Sequence, residues 1–173
     1  LDLGCAVGRA TFELAREFDE VTGLDFSARF IRIGVELKER GYVRYTRVEE
    51  GELVSYHEVK LSDLGLEGSQ QRVSFQQADA CNLKPLYQGY DLVLAANLID
   101  RLPSPRKFLE MIHERINPGG VLVQDGVVYA AAGIAHYDGT HVYALDSVTG
   151  AVKWYNDTSG TTSKKANHGV SLQ

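Results

Sequence analysis

Leu1-Asp2-Leu3-Gly4-Cys5-Ala6-Val7-Gly8-Arg9 opens the chain and decides how the rest is read. A short apolar strand ends in a glycine turn, and the turn feeds directly into a helical pattern. Such a turn brings backbone N–H groups and the positive end of a helix to the carboxyl edge of a parallel sheet, where a nucleotide-like ligand with an anionic end can rest. The stretch begins inside the motif, with no initiator Met, so the sequence reads as a fragment.

The elements that follow alternate. Arg9 to Phe18 is expected to be a helix, with Phe12, Leu14, Ala15 and Phe18 at helical spacing against the sheet. Val21-Thr22-Gly23-Leu24-Asp25 is a buried strand ending in a carboxylate. Ser27 is placed to cap a helix over Ala28–Arg40 that carries Phe30, Ile31, Ile33, Val35 and Leu37, and Gly41 stops it. Tyr42–Val48 and Glu52–Leu61, rich in β-branched and aromatic residues, flank Glu49-Glu50-Gly51 and read as a hairpin inserted near the ligand edge. Its Tyr42, Tyr45 and Tyr56 are candidates for a lid, with half-buried hairpin packing as the plainer expectation.

Arg72–Asp79 is a third strand with an acid at its tip. Tyr90–Asn97 is a fourth, almost continuously apolar, as a central parallel strand should be. Ser104-Pro105 starts a helix expected to reach Ile116, with Phe108, Leu109, Ile112 and Ile116 on one face. Asn117-Pro118-Gly119-Gly120 breaks it, and Val121-Leu122-Val123 begins a fifth strand. Parallel strands need covered crossovers, so residues 1–123 read as a doubly wound, Rossmann-like α/β sheet.

Beyond Val123 the character changes: charge thins out and the helical period disappears. Asp125-Gly126 is a turn before a strand to about Gly133. His141–Asp146 is a strand, Thr149-Gly150 a turn, and Ala151–Tyr155 another strand; short strands with such turns suggest a propeller blade. Asn156–Gln173, rich in Ser, Thr, Gly and Lys, is expected to be loop. The chain thus divides at residues 123/124.

Composition sets outer bounds. A net charge of -5 over 173 residues gives no reason to expect nucleic acid or an anionic membrane as the main partner. The apolar runs are too short to cross a bilayer. Cys5 and Cys81 are too few for a disulfide framework and read as two reduced thiols. His57, His113, His136, His141 and His168 show no convincing metal spacing. No nucleophile-elbow motif supports Ser/His/Asp chemistry.

Residues 1–123 resemble the class I S-adenosylmethionine-dependent methyltransferases. Asp2–Gly8 is similar to their first motif, Asp25 to the acid ending their second strand, Asp79-Ala80 to the third strand tip, Asn97 to the fourth, and Pro118-Gly119-Gly120 to the turn before strand five. More narrowly, Ala95-Ala96-Asn97-Leu98-Ile99-Asp100-Arg101-Leu102 and the hairpin resemble the methyltransferase domain of ovothiol-biosynthesis enzymes, which methylate an imidazole nitrogen of a thiohistidine. About Asp125 to Tyr155 resembles one PQQ-type β-propeller repeat. The methyltransferase fold ordinarily continues after strand five with a helix and an antiparallel hairpin. The sequence therefore reads as two fragments joined near Val123–Asp125. The alternative to an enzyme is a non-catalytic fragment whose β tail is a structural or interaction repeat.

The first resemblance implies S-adenosylmethionine as cofactor and a small-molecule substrate, with cytoplasmic localisation; the tail alone would suggest the periplasm or the outside of the cell. It implies that Gly4 to Gly8, Cys5 included, line the donor. Asp25, with Phe26 beside it, would accept the ribose hydroxyls. Asp79 would take the adenine amino group, with Ala80 and Cys81 along the ring. Asp2 would orient the loop or the donor's ammonium. Asn97, at the mouth of strand four, would border the donor and hydrogen-bond the acceptor, whereas Asp100 and Arg101 read as solvated surface. A dinucleotide site is the rival, but it ordinarily has glycine where Ala6 stands, so the Gly4-x-x-x-Gly8 spacing favours the methyl donor.

Overall fold

The computed structural model describes residues 1–132 and 140–159. The chain packs as two compact units, Leu1–Leu83 and Lys84–Gln173. His136, His168 and the polar stretch 160–173 lie outside the described residues.

In the first unit, strand β1 (Asp2–Leu3) leads through helix α1 (Arg9–Leu14) to β2 (Val21–Asp25), and helix α2 (Ala28–Arg40) follows. A hairpin of β3 (Tyr42–Glu50) and β4 (Leu53–Lys60) intervenes before β5 (Val73–Gln77). β1, β2 and β5 are parallel and adjacent in that order. The register pairs Leu3 with Leu24 and Asp25 with Gln77, so their carboxyl tips lie side by side.

The expected elements form with instructive differences. α1 is shorter than expected and relaxes into turns through Phe18 (Arg16 N–H to Glu13 O, 3.1 Å; Phe18 N–H to Leu14 O, 3.0 Å). Phe12 and Ala15 are nevertheless buried, with Leu14 and Phe18 packed beside them. α2 has the expected bounds, with Ser27 Oγ accepting from Phe30 N–H and Gly41 left-handed at its end. Ile31 and Leu37 are buried, whereas Phe30 is exposed at the first turn.

Phe75 organises this unit. A Cβ on Gly8 would stand 2.5 Å from its ring, one on Gly23 2.9 Å, and one on Gly34 3.0 Å. Loop, strand and helix thus close on one aromatic ring because each presents a bare backbone to it. Phe12 completes the enclosure, its ring centroid 5.4 Å away.

The hairpin corrects an expectation. It leaves from the carboxyl-terminal end of α2 and returns to the start of β5, both at the amino edge of the parallel strands. Leu61 N–H donates to Gly41 O at its root (2.8 Å), and Gln70 Nε2 to Lys38 O (3.0 Å). Its root therefore sits at the end of the sheet away from Gly4–Gly8, and Tyr42, Tyr45 and Tyr56 are not rooted where a lid over that loop would be.

In the second unit, β6 (Tyr90–Leu94) runs parallel to β7 (Ile116–Gln124). β8 (Val127–Ala132), β9 (Thr140–Asp146) and β10 (Val152–Ser159) extend it as an antiparallel meander. The strands after residue 124 thus continue the same sheet, Val123 pairing with Val128. β6 ends earlier than expected, at Leu94, and β10 continues to Ser159, where loop was expected. Helix α3 (Pro105–Ile112) stops before Ile116, after which His113–Arg115 forms a 3-10 turn. Pro118 disfavours helical geometry at Asn117, and Ile116 pairs with Tyr90 instead. Asn117-Pro118-Gly119-Gly120 consequently forms a bulge inside β7, with pairing resuming at Val121 opposite Leu92.

Asp146 builds the β9–β10 turn. Its Oδ1 accepts from the N–H groups of Val148 (3.1 Å) and Thr149 (2.9 Å), and Lys153 Nζ lies 3.0 Å from Oδ2. The Thr149 N–H and the Lys153 ammonium hold this carboxyl well below the usual carboxylate range. Among the described residues, no helix is long and apolar enough to cross a membrane.

Candidate active site

The opening loop is fixed from both sides. Gly4 N–H and Cys5 N–H both donate to Leu24 O, at 2.8 and 3.1 Å, and Gly8 N–H closes the turn onto Cys5 O at 2.8 Å. Gly4, Ala6 and Gly8 all have positive φ, at 73°, 49° and 95°. Glycine adopts this region freely; for Ala6 it carries a steric penalty of roughly 1–2 kcal/mol.

A hydrogen bond that sequence reading did not find offsets that penalty. Ala6 N–H donates to Asp25 Oδ2 at 2.9 Å, and Ser27 N–H donates to Oδ1 at 2.8 Å. The acid at the tip of β2 is therefore aimed into the loop. Each of its oxygens retains lone-pair capacity after these bonds, which is what a pair of ribose hydroxyls requires. The loop and Asp25 form one unit, and by this test the residues fit an S-adenosyl donor. Phe26, next in sequence, is 74% exposed, which leaves an aromatic face bare beside the acid.

Asp2 has a different place. It is buried, and its Oδ2 accepts from Thr11 Oγ1 at 2.7 Å, tying β1 to α1 under the loop. Burial raises its pKa, with the Thr11 hydrogen bond opposing. It supports the loop from below. Cys5 is buried too; burial pushes its thiol up to about 12, with the charges of Asp2 and Asp25 adding to the effect. The side chain is core, and what Cys5 offers the loop's exposed side is backbone.

Asp79 lies two residues past the end of β5 and is exposed. Its Oδ1 accepts from Cys81 N–H (2.8 Å), and its carbonyl accepts from Asn82 N–H (2.9 Å), forming a tight turn through Ala80. The main chain joins this turn to β2, since Ala78 N–H donates to Asp25 O at 3.0 Å. Cys81 is buried beneath the turn, and no disulfide joins it to Cys5.

Asn97 belongs to the second unit, three residues beyond β6. It is exposed and left-handed, φ 51°, and its N–H donates to Asp125 Oδ1 at 3.0 Å. Asp125, also left-handed at φ 48°, stands just past β7. The Asp125-Gly126 pair is legible as a turn in the sequence; its grip on Asn97 is not. Asp100 and Arg101 are exposed on a 3-10 turn.

A strand–glycine loop–helix start with an acid at the next strand tip defines a nucleoside-binding Rossmann-like domain. A family model described as a methyltransferase domain matches residues 1–122. The chain belongs to that methyltransferase family, and membership implies S-adenosylmethionine as the methyl donor. No curated protein matches the chain in sequence.

The chain is similar to solved structures at low identity. The YcgJ protein from Bacillus subtilis is 15% identical, with a TM-score of 0.50 over 71% of this chain and 41% of its own. The (4+2)-cyclase SpnF is 21% identical, with a TM-score of 0.49 over 71% of this chain and 36% of its own. The methyltransferase domain of bacterial CtHen1 is 19% identical, with a TM-score of 0.49 over 71% and 54%. The chain thus spans between about a third and about half of these structures' lengths.

Proposed function

We propose that the intact site catalyses methyl transfer from S-adenosylmethionine to a nitrogen of a small-molecule acceptor, in the cytoplasm. The observation that carries this reading is the Asp25 carboxylate, held on the Ala6 N–H inside the glycine loop. In the proposed roles, Gly4 to Gly8 give backbone access to the donor, Asp25 accepts the ribose hydroxyls and Phe26 lies beside them. Asp79, Ala80 and Cys81 form the adenine turn. The donor supplies a methyl group on a sulfonium, which makes transfer an in-line displacement. The protein's task is then to position the reactants and exclude water. A neutral imidazole nitrogen is nucleophilic without a strong base, so an acceptor-binding Asn97 suffices.

The acceptor we favour is the imidazole of a thiohistidine. Its support is the likeness of Ala95–Leu102 and of the inserted hairpin to the ovothiol-type domain. Incubating the protein with S-adenosylmethionine and 4-mercaptohistidine, histidine or free cysteine tests it. The expected product is N-methylated 4-mercaptohistidine, identified by mass and fragmentation. S-methylation, or methylation of cysteine alone, contradicts the nitrogen assignment. We read β8–β10 as propeller-repeat-like sequence, on the strength of its strand–turn–strand order and the Asp146 turn.

A further inference from the structure

The β3–β4 hairpin is long, two-stranded and poorly covered. β3 and β4 pair only with each other among the described residues, so each has an outer edge with no strand beside it. Val48 is 66% exposed, Leu53 69% and Tyr56 83%, with Tyr45 and Val54 also exposed. The register places Val48 opposite Val54 and Thr46 opposite Tyr56, so Val48, Val54 and Tyr56 share one face. An isolated two-stranded ribbon is marginal in water, and three or more strands are needed for independent stability. Uncovered edges with apolar side chains invite a further strand.

Charge indicates which strand. Along β3, Arg44 and Arg47 precede the apolar Val48, and Glu49 and Glu50 close the tip. Running a second β3 antiparallel to the first, in the register that sets Arg44 opposite Glu50, places Arg44 of each copy against the acidic tip of the other, with Arg47 at the centre of the pair. β4 lacks this property: its charges, Glu58 and Lys60, are both at the root, opposite what would be the apolar Leu53-Val54 of a second β4. The present partners do not prevent the exchange. Arg44 pairs with Glu58 (2.6 Å) and Arg47 with Glu49 (3.8 Å), and both arginines are largely exposed, where such pairs are weak and readily exchanged.

We propose that β3 is a self-association edge, on which a second copy of this chain adds its own β3 antiparallel to form a four-stranded β4–β3–β3–β4 sheet. The hairpin is rooted at the amino edge of the parallel strands, the end away from the glycine loop.

Sedimentation of the full chain over a range of concentrations tests it, with two charge-reversed variants. One carries Arg44→Glu and Arg47→Glu, the other Glu49→Lys and Glu50→Lys. The wild type is expected to move from one to two chain masses as concentration rises, and to shift back at high salt. Each variant alone places like charges in contact and is expected to stay at one chain mass. Mixed together, the two variants are expected to form a heterodimer, because both cross-copy contacts become attractive again. That recovery also separates a charge effect from misfolding. A wild type that stays single at every concentration, as expected if the hairpin serves another protein or another domain, overturns the proposal. So does a dimer insensitive to the reversals.

Discussion

Asp2 shows how much the opening loop asks of single residues. Its carboxyl is buried and its pKa is raised by desolvation, so its charged form opposes folding at neutral pH. The sign follows from linkage: where the folded pKa lies above the unfolded one, the native state binds more protons and stability falls as pH rises through that interval. The cost is absent below the ordinary 3.8 and fully present above the raised value. Asp2→Asn keeps an acceptor for Thr11 and removes the charge. It is expected to raise the thermal midpoint at pH 7, with the gain shrinking as pH falls toward 4, as thermal melts across that range would show. Gly8→Ala acts in the other direction. Its Cβ would meet the Phe75 ring at 2.5 Å from a backbone at φ +95°. Strain and overpacking together are expected to cost about 2–5 kcal/mol, read from the denaturant midpoint. The glycine turn and the acid at the end of β2 were legible from spacing alone. The bond from Ala6 to Asp25 was not, because nothing in the sequence says which loop N–H an acid nineteen positions away will receive.

Among the elements, α2 carries the clearest tertiary signature. Gly34 sits in mid-helix, where glycine is less favourable than alanine by about 1 kcal/mol, and local propensity alone predicts that Gly34→Ala stabilises. The structure predicts the opposite sign. The added Cβ would lie 3.0 Å from Phe75, whose ring is already held by Gly8 and Gly23 and has no room to retreat. Gly34→Ala is expected to lower the thermal midpoint in the wild type and to raise it in a Phe75→Leu background, where the space opens; equal effects in both would remove Phe75 from the explanation. Helix bounds and caps for α2 were readable because Ser27 and Gly41 mark them. α1 and α3 were read too long, since apolar spacing continues past the point where turns or the Asn117-Pro118 pair end the helix. The hairpin's existence was legible in its β-branched runs. Its position was not, because which edge of a sheet an insertion leaves from depends on the direction of the strands around it.

For the molecule as a whole, the order of elements in residues 1–122 agrees with the methyltransferase family that the chain matches. The tail was legible as strands and turns, and these extend the sheet from β7 in an antiparallel meander. Its pairing partner was hidden, since a run such as Val127–Ala132 says that it will be a strand but not which strand it will join. The central proposition is that the Gly4–Gly8 loop and Asp25 together make the donor pocket. Calorimetric titration of the full chain with S-adenosylmethionine measures it most directly. Saturating heat at one site in the wild type, lost in an Asp25→Ala variant that retains the wild-type circular dichroism, is the predicted result. No heat from folded wild type, or undiminished heat from Asp25→Ala, would contradict it.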